Sequence, residues 1–209
     1  MTQQPGSGRG IPAWLPNALT VLRLALVPVF VWLLFIDPAS FWWRFTATAA
    51  FGIAILTDLF DGRLARRYGL VSDFGKIWDP IADKALTGAA FISLSILGEL
   101  PWWVTVLILV REWGITWMRV RMLKYAVMAA APGGKLKTVL QSIALLMFLP
   151  YPIWPTAQML PFWFWLAWLV MGAAVVLTVV TGAQYVLEAM RLRAKALAEN
   201  EQRSRPAEP

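Results

Sequence analysis

Residues 57–84 read TDLFDGRLARRYGLVSDFGKIWDPIADK, and within this run Asp58, Asp61, Asp79 and Asp83 fall at helical spacings. Long apolar blocks flank it on both sides. A lone carboxylate at bilayer depth is unfavourable by a few kcal/mol, so four together call for compensating positive charge. Divalent cations are the natural compensator, because hard cations take oxygen ligands. The segment therefore points to a metal-dependent site within an all-α membrane protein.

On a helix, Asp58 and Asp61 are three residues apart and share a face. Asp79 and Asp83 are four apart and share a face, with Gly75 one turn earlier. The stretch between them, 67–74, is long enough to turn the chain, so two antiparallel helices would each present two carboxylates to a common centre. Two divalent ions balance a charge of about −4, and two-metal sites commonly serve phosphoryl chemistry. Gly62, Ala65 and Gly75 keep bulk off these faces and leave room for a flat or phosphate-bearing ligand. Arg66 adds a fixed positive charge suited to phosphate. Pro80 removes a backbone donor beside Asp79 and is expected to bend its helix. A single aspartate here would read as an exposed helix cap; the four together with the glycines and Arg66 do not.

Composition narrows the classes. The chain has 209 residues, 59% hydrophobic and 15% charged, too apolar for an ordinary soluble domain. Cysteine and histidine are both absent, which excludes disulfides, thiolate nucleophiles, imidazole bases and the usual zinc sites. Acid–base and metal chemistry then falls to carboxylates, Lys and Tyr. The net charge of +7 comes from basic residues that flank apolar segments, which favours anionic headgroups and a phosphate-bearing substrate over nucleic acid.

One membrane domain over 11–195 is expected, between disordered polar ends at 1–10 and 196–209. No cleavable leader is expected, because residues 1–13 are polar and the first apolar block lacks a small-residue cleavage site. Residues 11–17 read as an interfacial lead-in anchored by Trp14. Six spanning helices follow, over 18–36, 40–67, 75–98, 101–125, 134–153 and 160–190. Arg63, Arg66, Arg67, Lys76, Arg119, Arg121, Lys124, Lys135, Lys137, Arg191, Arg193 and Lys195 fall toward one side of this arrangement. The opposite loops carry little beyond Asp37, Arg44 and Glu99. By the positive-inside rule both termini and the acidic segment are cytoplasmic. Trp42, Trp43, Trp102, Trp103, Trp154, Trp163 and Trp165 near helix ends read as an interfacial belt rather than as chemistry.

The pattern Asp58-x2-Asp61-Gly62-x2-Ala65-Arg66-x8-Gly75-x3-Asp79-x3-Asp83 resembles the signature of the CDP-alcohol phosphotransferases, with eight positions filled over 26 residues. The resemblance implies six membrane helices in a homodimer of a bacterial cytoplasmic membrane. It implies Mg2+ or Mn2+, two ions per site, on Asp58, Asp61, Asp79 and Asp83. It implies a CDP-linked donor from which CMP leaves, Asp83 as general base, and Gly62, Ala65, Arg66 and Gly75 in the CDP site.

Further segments bear on the acceptor. Pro16-Asn17-x-Leu19-Thr20-x2-Arg23-x4-Pro28 opens the first helix, and Asp79-Pro80-x-Ala82-Asp83-Lys84 carries the last two acids. Arg111-Glu112-x6-Arg119 and Gly134-Lys135-x-Lys137-Thr138-x2-Gln141 lie farther on. Over residues 14–190 the ordered set resembles the family branch that uses glycerol 3-phosphate. Arg111 and Arg119, eight apart, share nearly one helix face. With Lys135 and Lys137 they suit an acceptor bearing its own phosphate. Lys135 and Lys137 also fit a snorkelling, topology-setting role. Arg111 lies inside the apolar run VTVLILVREWGITW, and Glu112 is expected to pair with a different basic group, because adjacent helix residues diverge. Arg23 is similarly embedded and is a candidate for lining the site. Asn17 and Thr20 fit both helix capping and ligand contact, and Gln141 adds a neutral hydrogen-bonding group.

The expected reaction moves the phosphatidyl group of CDP-diacylglycerol to glycerol 3-phosphate, giving phosphatidylglycerol phosphate and CMP. Inositol phosphate, or phosphatidylglycerol as in a cardiolipin synthase, would use the same aspartates. A divalent-cation transporter would spread its acids along a route through the bilayer and would leave Gly62, Ala65 and Arg66 without a role. A non-catalytic scaffold would have no need of the complete pattern.

Overall fold

A computed structural model describes residues 14–68, 73–122, 134–150 and 160–204. The side chains of residues 15–16, 58–68, 73–77, 134–135, 160 and 196–204 lie outside that description. Six α-helices make up the secondary structure among the described residues: α1 Leu15–Ile36, α2 Phe41–Tyr68, α3 Asp73–Ile96, α4 Trp102–Met122, α5 Gly134–Phe148 and α6 Leu160–Ser204.

Most helix boundaries differ from the sequence expectation by a few residues, and four of them bear on the reading. Helix α1 begins at Leu15, so Pro16 lies in its first turn, where a missing N–H is tolerated. The N-cap is Trp14, with no side-chain cap bond, and neither Asn17 nor Thr20 caps the helix. Helix α3 starts at Asp73, two residues early, and Pro80 lies inside it. Helix α5 ends at Phe148. Helix α6 runs to Ser204, through part of the stretch expected to be disordered. The segment AKALAENEQRS is polar, but Ala, Lys, Leu, Glu, Gln and Arg are strong helix formers and nothing there breaks the ladder. Residues 1–13 and 205–209 lie outside the described residues.

The packing falls into two units, α1–α3 and α4–α6. In the first, α1 packs on both α2 and α3. Small residues on α2 (Ala47, Ala50, Ala54) and α3 (Ala82, Ala90) are buried at helical spacing and let backbones approach closely. Phe30 of α1 and Phe51 of α2 fill the space between, with ring centroids 5.3 Å apart. In the second unit, α6 packs on both α4 and α5. Phe148 meets Trp168 edge-on at 5.4 Å, and the Trp163 indole N–H donates to the Met147 carbonyl at 2.9 Å.

Large apolar side chains face outward along the helices, including Trp32, Val110, Trp117, Phe162, Trp165 and Leu169. Apolar exposure on this scale within each unit is the kind that meets lipid or a partner. Asn17–Ile36 and Pro161–Lys195 are long and apolar enough to cross a membrane, with mean hydropathies of 2.4 and 2.2. Leu136–Phe148 is apolar but shorter. Trp42, Trp102, Trp103 and Trp165 are exposed at helix starts, where the belt was expected. Trp154 lies outside the described residues.

Candidate active site

The first unit carries the acids. Asp79 and Asp83 are four apart on α3, partly exposed, with fully buried Ala82 between them. Asp58 and Asp61 lie in the C-terminal part of α2. The side chains of Asp58, Asp61, Gly62, Ala65, Arg66 and Gly75 lie outside the described residues. Helix bounds nevertheless set their levels. Asp61 is seven residues before the end of α2 and Asp79 six after the start of α3. At a rise of ~1.5 Å per residue these lie about 10 Å from the end of α2 and about 9 Å from the start of α3. Asp58 is ten residues before the end of α2 and Asp83 ten after the start of α3, about 15 Å from those helix ends by that rise. Helices α2 and α3, which carry the four acids, are in contact.

This donor set suits Mg2+ or Mn2+, which prefer carboxylate oxygen. Among the described residues no group of three acids forms by itself, and Asp58 and Asp61 are outside that search. Helix α1 contributes directly. The Thr20 hydroxyl donates to Asp79 Oδ1 at 2.5 Å. Arg23, three residues along α1, is completely buried. Thr20 does not cap the helix, and its hydroxyl meets an acid of the signature.

The second unit carries a basic cluster organised by α6. Thr178, Thr181, Gly182 and Tyr185 follow one another at i, i+3, i+4 and i+7 and so form one stripe. Arg111 on α4 donates from Nη2 to Thr181 Oγ1 at 2.8 Å. Its Cγ lies 3.3 Å from where a Cβ on Gly182 would stand, so the missing side chain makes room for the arginine stem. Arg119 donates from Nη2 to the Tyr185 hydroxyl at 2.5 Å and lies over that ring at 4.6 Å. The Arg111 guanidinium is 5.7 Å from the same ring. One tyrosine therefore orients both cations by hydrogen bonding and cation–π attraction. The Nε donors of Arg111 and Arg119 are buried with no acceptor among the described residues.

Glu112 joins α4 to α5. Its Oε1 accepts from Lys137 Nζ and from Arg111 Nη1, the latter at 3.1 Å. The expectation that Glu112 would pair elsewhere than Arg111 holds for Lys137 and fails for Arg111. The Cα positions diverge, but the arginine is long enough to reach Thr181 and lay its other nitrogen against its neighbour. Lys137 is 3% exposed, so it is a buried ion-pair partner and not a snorkelling side chain. Gln141 donates from Nε2 to Thr178 Oγ1 at 3.0 Å. The Lys135 side chain lies outside the described residues.

Arg111, Arg119, Lys137 and Gln141 are thus brought together as the sequence suggested. The α6 partners were missed. Their signal was present in TVVTGAQY, a run of polar and small residues at three- and four-residue spacing within an otherwise apolar helix.

The sequence model of the CDP-alcohol phosphatidyltransferase family matches residues 13–189, spanning both the acidic helices and the basic cluster. The chain belongs to this family. Relatives of this CDP-alcohol phosphatidyltransferase include a Mycobacterium tuberculosis protein named probable phosphatidylglycerophosphate synthase. It is 48% identical over 192 residues, covering 88% of this chain and 86% of the relative. A Bacillus subtilis protein named CDP-diacylglycerol–glycerol-3-phosphate 3-phosphatidyltransferase is 35% identical over 185 residues, covering 82% and 92%. A Rickettsia typhi protein of the same name is 40% identical over 136 residues, covering 63% and 73%.

Proposed function

We propose that this protein is a phosphatidylglycerophosphate synthase, transferring the phosphatidyl group of CDP-diacylglycerol to glycerol 3-phosphate in phospholipid biosynthesis. The reading is supported by the complete acid signature on α2 and α3, together with the names borne by relatives that align over most of the chain. In this reading all six helices span a bacterial cytoplasmic membrane, both termini are cytoplasmic, and the protein works as a homodimer.

Asp58, Asp61, Asp79 and Asp83 would hold Mg2+ or Mn2+, two ions per site. When bound, the ions supply positive charge that offsets charge on the pyrophosphate and on departing CMP. Gly62, Ala65, Arg66 and Gly75 receive the CDP moiety, the small residues giving space and Arg66 a charge. Arg111, Arg119, Lys135 and Lys137 bind the phosphate of glycerol 3-phosphate, with guanidinium donors suited to its oxygens. Asp83 accepts the proton from the 1-hydroxyl as that oxygen attacks the phosphorus attached to diacylglycerol. The new P–O bond forms, the P–O bond to CMP breaks, and phosphatidylglycerol phosphate and CMP result.

The test is incorporation of labelled glycerol 3-phosphate into lipid by the purified full-length protein. Incorporation that requires CDP-diacylglycerol, stops with EDTA and returns with Mg2+ or Mn2+ is the expected result. Incorporation undiminished by EDTA would overturn the metal assignment, and none at all would overturn the reaction.

A further inference from the structure

We propose that Thr20 is a positioning residue that fixes the Asp79 carboxylate for divalent-metal binding. The inference rests on the metal reading above and extends it to a helix outside the acid signature. Thr20 is 1% exposed, and its hydroxyl reaches across 59 residues of sequence to Asp79 Oδ1 at 2.5 Å. That length is typical of a hydroxyl donating to a carboxylate, a bond stronger than a neutral one.

The contact is not routine for a helical threonine. Thr46, Thr48, Thr57, Thr87 and Thr116 all turn their hydroxyls back to carbonyls of their own helix. Thr20 reaches a carboxylate on another. The need arises next to Asp79 itself. Pro80 has no backbone N–H and disfavours regular helical geometry in the residue before it, so the ladder around Asp79 is weakened. An external donor restores a defined orientation. By occupying Oδ1 it leaves Oδ2 to face a cation. Outer-shell partners of metal ligands act in this way, and losing one typically weakens metal binding by about 10–100-fold.

The experiment is Mn2+ titration of full-length protein in lipid nanodiscs, followed by the EPR signal of free Mn2+. Thr20→Val keeps the shape and removes the donor; Thr20→Ser keeps the donor; Asp79→Asn tests the ligand. The expected result is Mn2+ affinity lowered about 10–100-fold in Thr20→Val and within about threefold of the parent in Thr20→Ser. Mn2+ needed for half-maximal activity should rise in parallel while the KM for glycerol 3-phosphate stays unchanged. Should Thr20→Val fail to fold, Thr20→Ala takes its place, with the same shift expected. Parent-like Mn2+ affinity in the donor-free variant, alongside weakened binding in Asp79→Asn, overturns the role of Thr20 and leaves the metal site standing. Parent-like affinity in Asp79→Asn overturns the metal reading of Asp79, and the proposal with it.

Discussion

Replacing Glu112 by Gln tests the ionic joint between α4 and α5. The Glu112 carboxylate faces Lys137, which is 3% exposed, and also takes a bond from Arg111 at 3.1 Å. Glutamine keeps the shape and one acceptor oxygen but removes the negative charge that the buried Lys137 ammonium faces. Breaking a buried pair from one side destabilises by about 3–5 kcal/mol. The Glu112 side chain is 22% exposed, so water recovers part of the loss, and the low end, ~3 kcal/mol, is the expectation. For a chain of this size each kcal/mol moves the thermal midpoint by roughly 2–4 °C, so a fall of about 6–12 °C follows. The assay is a thermal scan in nanodiscs at one fixed rate, since membrane proteins often unfold irreversibly and the midpoint is then rate-dependent. Combining Glu112→Gln with Lys137→Met removes both charges and should bring stability back to within about 1 kcal/mol of the parent. A single variant melting within about 1 °C of the parent, a shift well below 1 kcal/mol, would refute the reasoning. So would a double variant that loses the sum of the two singles, because the pair would then be uncoupled.

Asp83→Asn should lower turnover by about 100–10,000-fold, the usual contribution of a general base, while CDP-diacylglycerol still binds; single-turnover CMP release and a donor-binding titration separate the two. Tyr185→Phe removes the hydroxyl that Arg119 reaches at 2.5 Å but keeps the ring beneath both arginines. A hydrogen bond to a charged group is worth about 1.5–3 kcal/mol, so steady-state kinetics should show the glycerol 3-phosphate KM raised at least about tenfold with the donor KM unchanged. Gly98 has φ +75 with nothing within 4 Å of a built Cβ, so Gly98→Ala meets only backbone strain. It should destabilise by about 1–2 kcal/mol, read as a thermal midpoint lowered by a few degrees.

What the sequence disclosed and what it concealed divide along a physical line. The acids were legible because helical spacing fixes which residues share a face, and Asp79 and Asp83 need only their own helix to be seen. Arg111 and Arg119 were legible for the same reason, aided by the apolar run around Arg111. Contacts between helices were not. A sequence gives each helix its faces but not which face meets which, so the Thr20 to Asp79 bond and the Arg119 to Tyr185 bond, 66 residues apart, came only from the structure. Two boundary errors share a different cause. Residues 11–17 were read as a lead-in, but the first turn of a helix accepts Pro16, and α1 begins at Leu15. The end of α6 was read as coil because it is polar, but polarity reports exposure and not backbone state.

The measurement that bears most directly on the account is CMP release from CDP-diacylglycerol by the purified protein with Mg2+ or Mn2+. Glycerol 3-phosphate, inositol 1-phosphate and phosphatidylglycerol would be supplied in parallel as acceptors. The account predicts release with glycerol 3-phosphate alone. Release driven by either other acceptor in place of glycerol 3-phosphate would contradict the acceptor assignment, and folded protein that releases no CMP with any of them would contradict the catalytic reading itself.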